Sequence, residues 1–179
     1  MFEVMRSAAG LQVARFRFRR FEDPIMSFTE AVTTARRAML IMPLQKREFL
    51  PTVMVVDFFK QRLREEHITI VSDDHGREAV RMLARSHFIH ILKDEVSPFF
   101  LPRRTLLRRV LERQCDLVVD LNLDFLLPSA YICRESNARV RIGFARKHAD
   151  LFYNFVIQPD PRLERKHLYD RMALFLRKF

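Results

Sequence analysis

Glycine is nearly missing from this chain of 179 residues, which has only Gly10, Gly76 and Gly143. Neither G-x-G-x-x-G nor G-x-x-x-x-G-K can be written with glycines so placed, which excludes the dinucleotide fingerprint and the P-loop. Cysteine is almost as scarce. Cys115 and Cys133 lie outside any C-x-x-C spacing, histidines are not clustered, and two reduced thiols with no metal are expected. Tryptophan is absent and only three tyrosines occur, so no aromatic stacking motif for nucleic acid can be drawn. No run reaches the roughly eighteen consecutive apolar residues that suggest a membrane-crossing helix. The opening "MFEVMRSAAG" has no apolar signal region either, and a soluble intracellular protein is expected.

The residues present suit one folded domain. The chain is 49% hydrophobic, with 17 Phe, enough to build a substantial core. Net charge is +10, and the cations are 26 Arg against 6 Lys. A guanidinium fork fits two oxygens of a phosphate or carboxylate, so the excess points to an anionic partner or to a solvated basic surface. Helix-turn-helix and RNA-binding signatures are lacking, and nucleic acid is not the expected partner.

Along the chain, apolar runs of strand length alternate with stretches of helical period. The segment up to residue 26 reads two ways. Ala14, Phe16 and Phe18 alternate with arginines as in a strand, while Leu11, Ala14, Phe18 and Phe21 fall at helical spacing. As a basic helix it could pack on the domain or lie on a membrane surface. "SFTE" at Ser27–Glu30 has the form of a capping box opening a short helix. Strands are expected at "AMLIM", "ITIVS", "FIHIL", "DLVVDL", "ARVRIGF" and "YNFVIQ". Helices are expected over 50–65, 77–86, 103–113, 125–134 and 162–179, with the turn "DDHG" after the second strand. This alternation predicts an α/β fold: a three-layer Rossmann-like sandwich with a mainly parallel sheet of about six strands over 27–179, preceded by a basic extension over 1–26.

In such a sheet, loops at the carboxyl ends of the strands line the ligand crevice. "DLVVDLNLD" places Asp120 and Asn122 at that rim, either as turn residues bonding the backbone or as ligand contacts. Asp124 is positioned to cap the next helix, whose first turn accommodates Pro128. Arg139 and Arg141 alternate with Val140 and Ile142, which sends both guanidinium groups to one face. There they either reach an anionic ligand or mark a solvent-facing edge strand. Asn137 suits a left-handed helix end, and Gly143 a close backbone approach or a positive φ.

The stretches "DLVVDLN", "SAYICRESNARVRIGF" and "YNFVIQP" resemble the N-terminal, acceptor-side half of the ADP-heptose:lipopolysaccharide heptosyltransferase family, whose members have two Rossmann-like domains in the GT-B arrangement. Weaker similarity runs back to "MLIMPLQKREFLPTVMVV", so that the resemblance spans about Ala38 to Arg177. It implies a glycosyltransferase-like domain, with Asp120, Asn122, Arg139, Arg141 and Gly143 as ligand-binding candidates. After its first strand the family carries a Gly-Asp loop whose Asp is the general base. Here "PLQKREF" lacks the glycine, and Glu48 falls near that place as the catalytic candidate, or else as a surface ion-pair partner.

A second, donor-binding domain is not encoded in these residues. Sugar transfer requires donor and acceptor to be held together in a closed cleft. The expectation is therefore a stand-alone domain, non-catalytic alone and needing no cofactor. It would bind an anionic glycan, a lipid headgroup or a partner chain. The alternative is a reduced glycosyltransferase completed by a homodimer or a separate donor-domain protein. The expected location is the cytoplasm, including peripheral contact with the inner membrane.

Overall fold

The computed structural model describes residues 2–73 and 85–179. Helix α1 (Phe2–Phe18) and the short α2 (Phe28–Thr33) precede β1 (Ala38–Ile41). Then follow α3 (Val53–Arg62), β2 (Ile68–Ser72), β3 (His87–His90), α4 (Arg104–Leu111) and β4 (Leu117–Asp120). The chain closes with α5 (Leu127–Glu135), β5 (Val140–Phe144), β6 (Phe155–Ile157) and α6 (Arg165–Leu176). All but the first residue of the expected turn "DDHG", and most of the expected helix over 77–86, lie outside the described residues.

The six strands form one sheet in the order β3-β2-β1-β4-β5-β6, and every pairing is parallel. Parallel strands cannot be joined by tight hairpins, so each connection must cross a face of the sheet, and both faces become covered. Alternate residues of β1, β4 and β5 accordingly go to two cores. Leu40, Val119 and Ile142 face α2, α3 and α6, whereas Met39, Ile41 and Val118 face α1, α4 and α5. This is the three-layer α/β sandwich that the alternating pattern predicts.

The ambiguous N-terminal segment is a helix. Gly10, Ala14 and Phe18, four residues apart, form its buried stripe. The strand-like alternation of Phe16 and Phe18 places the two rings on nearly opposite sides of that helix, Phe16 65% exposed and Phe18 4%. Contact with the domain is close: a Cβ on Gly10 would lie 2.0 Å from the Phe99 carbonyl oxygen. Helix α1 runs alongside α5, with Phe18 packed on Tyr131 and Arg17 Nε donating to Glu135 at 3.0 Å.

Local signals explain most element ends. The Ser27 hydroxyl accepts from the Glu30 N–H at 3.3 Å, capping α2. Asn137 takes a left-handed φ of 53° just beyond α5. The expected cap at Asp124 does not form. Helix α5 begins three residues later, after Leu126 and with Pro128 in its first turn, because Arg165 holds the Asp124 carboxylate elsewhere. Both cysteines are free, and burial pushes the Cys115 thiol up to about 12.

Candidate functional site

The carboxyl ends of β1, β4 and β5 bring the sequence-predicted rim residues together, and most of their polar atoms are already occupied. Asp120 ends β4 and is 1% exposed. One of its oxygens accepts from the Tyr153 hydroxyl at 2.7 Å, and the other from the backbone and side-chain nitrogens of Asn122 at 3.0 and 2.7 Å. Burial raises the Asp120 carboxyl above its ordinary value, while these donors pull it down. Asn122 in turn ties the loop after β1: its Oδ1 accepts from the Leu44 N–H at 3.1 Å and its Nδ2 donates to the Met42 carbonyl at 3.4 Å. Asp120 and Asn122 thus join the ends of β1 and β4 from inside.

Glu48 lies in the same loop after β1, in a single turn of 3₁₀-helix. It is not the surface ion-pair partner expected of a glutamate in a basic turn, since only 4% of it is exposed. Arg165 Nε donates to one carboxylate oxygen at 2.7 Å, and the other lies 3.1 Å from the Tyr169 hydroxyl, whose single proton it shares with the Leu121 carbonyl at 2.8 Å. Arg165 also binds Asp124 at 2.8 Å, and Asp124 accepts from Gln45 Nε2 at 3.3 Å. A guanidinium in the first turn of α6 meets the positive end of the helix dipole, so its place there depends on the two carboxylates it bridges. Hydrogen bonding to Arg165 holds the Asp124 carboxyl below its ordinary value.

Strand β5 corrects the edge-strand reading of its arginines, because it lies inside the sheet between β4 and β6. Arg141 is 2% exposed, and its guanidinium donates to the Phe152 and Ala138 carbonyls at 3.0 and 2.8 Å and to Asp23 at 2.6 Å. Arg134 donates to the same Asp23 at 2.9 Å. These bonds occupy Arg141 inside the protein, whereas Arg139 is exposed at the opposite, amino end of β5. Gly143 has no positive φ. Its missing side chain admits the Tyr153 ring, which a Cβ would approach to 2.7 Å, and so lets the Tyr153 hydroxyl reach Asp120.

Above these buried groups the rim is basic. Arg47 Nε donates to Gln45 at 2.9 Å, and Arg146 Nε donates to the Leu123 carbonyl at 2.9 Å. Arg47, Arg146 and Arg165 therefore surround Asp124, with exposed Lys147 beside them. Helices α3, α5 and α6 all point their amino ends toward this rim, which favours negative charge. A hollow of about 650 Å³ lies at the other end of the sheet and is lined by Lys60, Arg62, Arg64 and Glu66. That end receives the carboxyl terminus of α3, so its arginines oppose a negative helix end. A second hollow of about 470 Å³ adjoins the rim, between α1 and the start of α5.

Arg165, Tyr169, Tyr153, Asp23 and Arg146 complete this arrangement, and the sequence reading singles out none of them. Tyrosine offered a signal. All three tyrosines are buried in a chain with 17 Phe, and a hydroxyl kept where Phe is the common choice implies a polar partner. Tyr153 and Tyr169 meet Asp120 and Glu48.

No protein family profile matches the chain, and no curated protein matches it. Solved structures do. The E. coli heptosyltransferase WaaC with ADP is similar with a TM-score of 0.59 at 15% identity, over 78% of this chain and 46% of that one. A glycosyl transferase of family 9 from Veillonella parvula gives a TM-score of 0.58 at 13% identity, over 79% of this chain and 40% of its own. The likeness is one of fold, and it falls on the glycosyltransferase type that the Asp116–Phe144 stretch resembles. The chain spans less than half the length of each of these solved structures.

Proposed function

We propose that the chain is an acceptor-side, glycosyltransferase-like domain that binds a phosphorylated glycan across its carboxyl rim and does not transfer sugar by itself. The observation that carries this reading is the state of Glu48. A general base must present a lone pair to the acceptor hydroxyl. One Glu48 oxygen accepts from Arg165, the other faces the Tyr169 hydroxyl that it shares with the Leu121 carbonyl, and the group is nearly inaccessible, so the residue nearest the family's base serves as a structural anchor for Arg165. Above it, Arg47 and Arg146 offer guanidinium donors, and three helix amino ends add positive potential. A phosphate ester on a sugar matches both.

The test is a titration of the full chain with lipopolysaccharide core fragments, phosphorylated and enzymatically dephosphorylated, and with ADP-sugars. The phosphorylated fragment is expected to bind at least tenfold more tightly than its dephosphorylated form. The charge reversals Arg47→Glu and Arg146→Glu should each weaken that binding at least fivefold. Equal binding of the two fragments would remove the anionic-glycan reading. Sugar transfer by the full chain that disappears in Glu48→Gln, with the fold intact by circular dichroism, would replace it with a reduced glycosyltransferase.

A further inference from the structure

Helix α1 has two apolar faces, and the domain covers only one. Gly10, Ala14 and Phe18 are buried against the domain. At 3.6 residues per turn, Phe2, Met5, Ala9, Val13 and Phe16 fall within an arc of about 80° on the far side, a stripe about 21 Å long. Phe2, Met5, Val13 and Phe16 are 78%, 63%, 53% and 65% exposed. Single exposed apolar residues are ordinary, but an aligned row of this length marks a contact surface.

Charge selects what the stripe contacts. Residues 2–20 contain five arginines and a single acid, Glu3. By the same helical count, Arg6 borders the stripe and Glu3 lies away from it, while Arg17 and Arg15 are held by Glu135 and His148 of the domain. Just past the helix end, the Arg19 guanidinium stacks 4.1 Å from the centre of the Phe16 ring. A second copy of the chain laid on this face would bring the Arg6 and Arg19 guanidinium groups of both copies together. An anionic bilayer surface offers both requirements at once: an apolar layer for the stripe and negative headgroups for guanidinium groups on long apolar stems. Among the described residues no helix is long and apolar enough to cross a membrane, so the contact would be interfacial.

We infer that the outer face of α1 docks the protein on anionic phospholipid bilayers, with Phe2, Met5, Val13 and Phe16 inserted at the headgroup boundary and Arg6 and Arg19 on the phosphates. This inference is independent of the glycan reading, because the vesicles that test it contain no glycan.

The experiment is vesicle flotation of the full chain, comparing neutral phosphatidylcholine vesicles with vesicles holding about 30% phosphatidylglycerol. The wild-type protein is expected to float with the anionic vesicles, at least tenfold more than with the neutral ones, and to be released progressively by salt. The variant Phe2→Ser/Met5→Ser/Phe16→Ser changes only exposed side chains and should keep its circular dichroism spectrum and melting temperature while losing at least tenfold in vesicle binding. Arg6→Glu/Arg19→Glu should lose the preference for anionic vesicles. Absence of wild-type flotation, or equal flotation by the triple variant, would overturn the inference. So would a concentration-dependent dimer in sedimentation that the triple variant abolishes while vesicles bind neither protein, which would assign the stripe to a second copy.

Discussion

At the scale of single residues, the rim rests on a few side chains whose polar atoms have no alternative partner. The Tyr153 hydroxyl reaches Asp120 because Gly143 leaves room for its ring. Tyr153→Phe keeps the ring and removes the donor from a carboxylate that is 1% exposed, which should cost about 1–3 kcal/mol at neutral pH. That cost has a pH dependence. Burial raises the folded Asp120 carboxyl above 3.8, so its contribution to stability is fully present below that value and is lost as pH rises through the folded value. A hydroxyl donor favours the charged form, and its removal raises the folded value further. The difference in melting temperature between wild type and Tyr153→Phe should therefore widen from acid to neutral pH. A difference that is constant with pH would mean that the hydroxyl does not act on Asp120.

The same residues mark how far the sequence could be read. Asp120 and Asn122 could be placed at a strand's carboxyl end because "LVVD" reads as a buried strand and the fold rule fixes which end faces the crevice. What they do there was not legible. Their partners Tyr153, Leu44 and Met42 lie 33 to 80 residues away and are brought close only by the sheet register. Arg141 shows the converse limit: alternation assigned its face correctly, but the acid that neutralises it, Asp23, lies 118 residues away in a segment without periodicity.

At the scale of elements, the segment after α1 is fastened to the domain by that acid. Asp23 accepts from both Arg134 and Arg141, side chains 6% and 2% exposed. Partial burial acts to raise the Asp23 carboxyl, and the two guanidinium groups outweigh this and hold it below 3.8. Asp23→Ala leaves two buried cations without a counter-charge and should cost about 2 kcal/mol, toward the low end for a broken ion pair because the carboxylate itself reaches solvent. A lowered folded value means stability that is present above 3.8 and lost as pH falls through the folded value. Denaturant titrations should thus show a deficit in the variant at pH 7 that shrinks well below pH 3.8. A variant as stable as wild type at pH 7 would show that Asp23 does not fasten this segment and that the contacts of α1 itself hold it.

Helix α1 and the start of α5 were also the elements read least securely. Short runs of alternating Arg and Phe satisfy a period of two and, at Phe18 and Phe21, also a helical period. The burial of Gly10, Ala14 and Phe18 against α5 and the Phe99 carbonyl decides between them, and neither neighbour is local in sequence. The start of α5 moved because Arg165, 41 residues on, competes for Asp124 more effectively than a helix N-terminus does.

At the scale of the whole molecule, the parallel sheet was legible because runs such as "ITIVS" and "LVVD" are buried on both faces and therefore mostly apolar, with helical stretches of the right length between them. Net charge of +10 was legible as well, but not its distribution. Arginines occupy both ends of the sheet, and only the direction of the helices distinguishes the rim, where positive helix ends favour negative charge, from the opposite end. The groove beside the rim is lined by the amino-terminal part of α1 and the start of α5.

The measurement that tests the rim most directly is a backbone amide chemical-shift map of the full chain titrated with a phosphorylated core oligosaccharide. Binding at the rim is expected to move the amides of residues 44–48, 121–126 and 145–148 first and most, with little effect in Arg146→Glu. Shifts confined to residues 60–66 and 113–115 at the opposite end of the sheet, or no shifts at all from a folded protein, would contradict it.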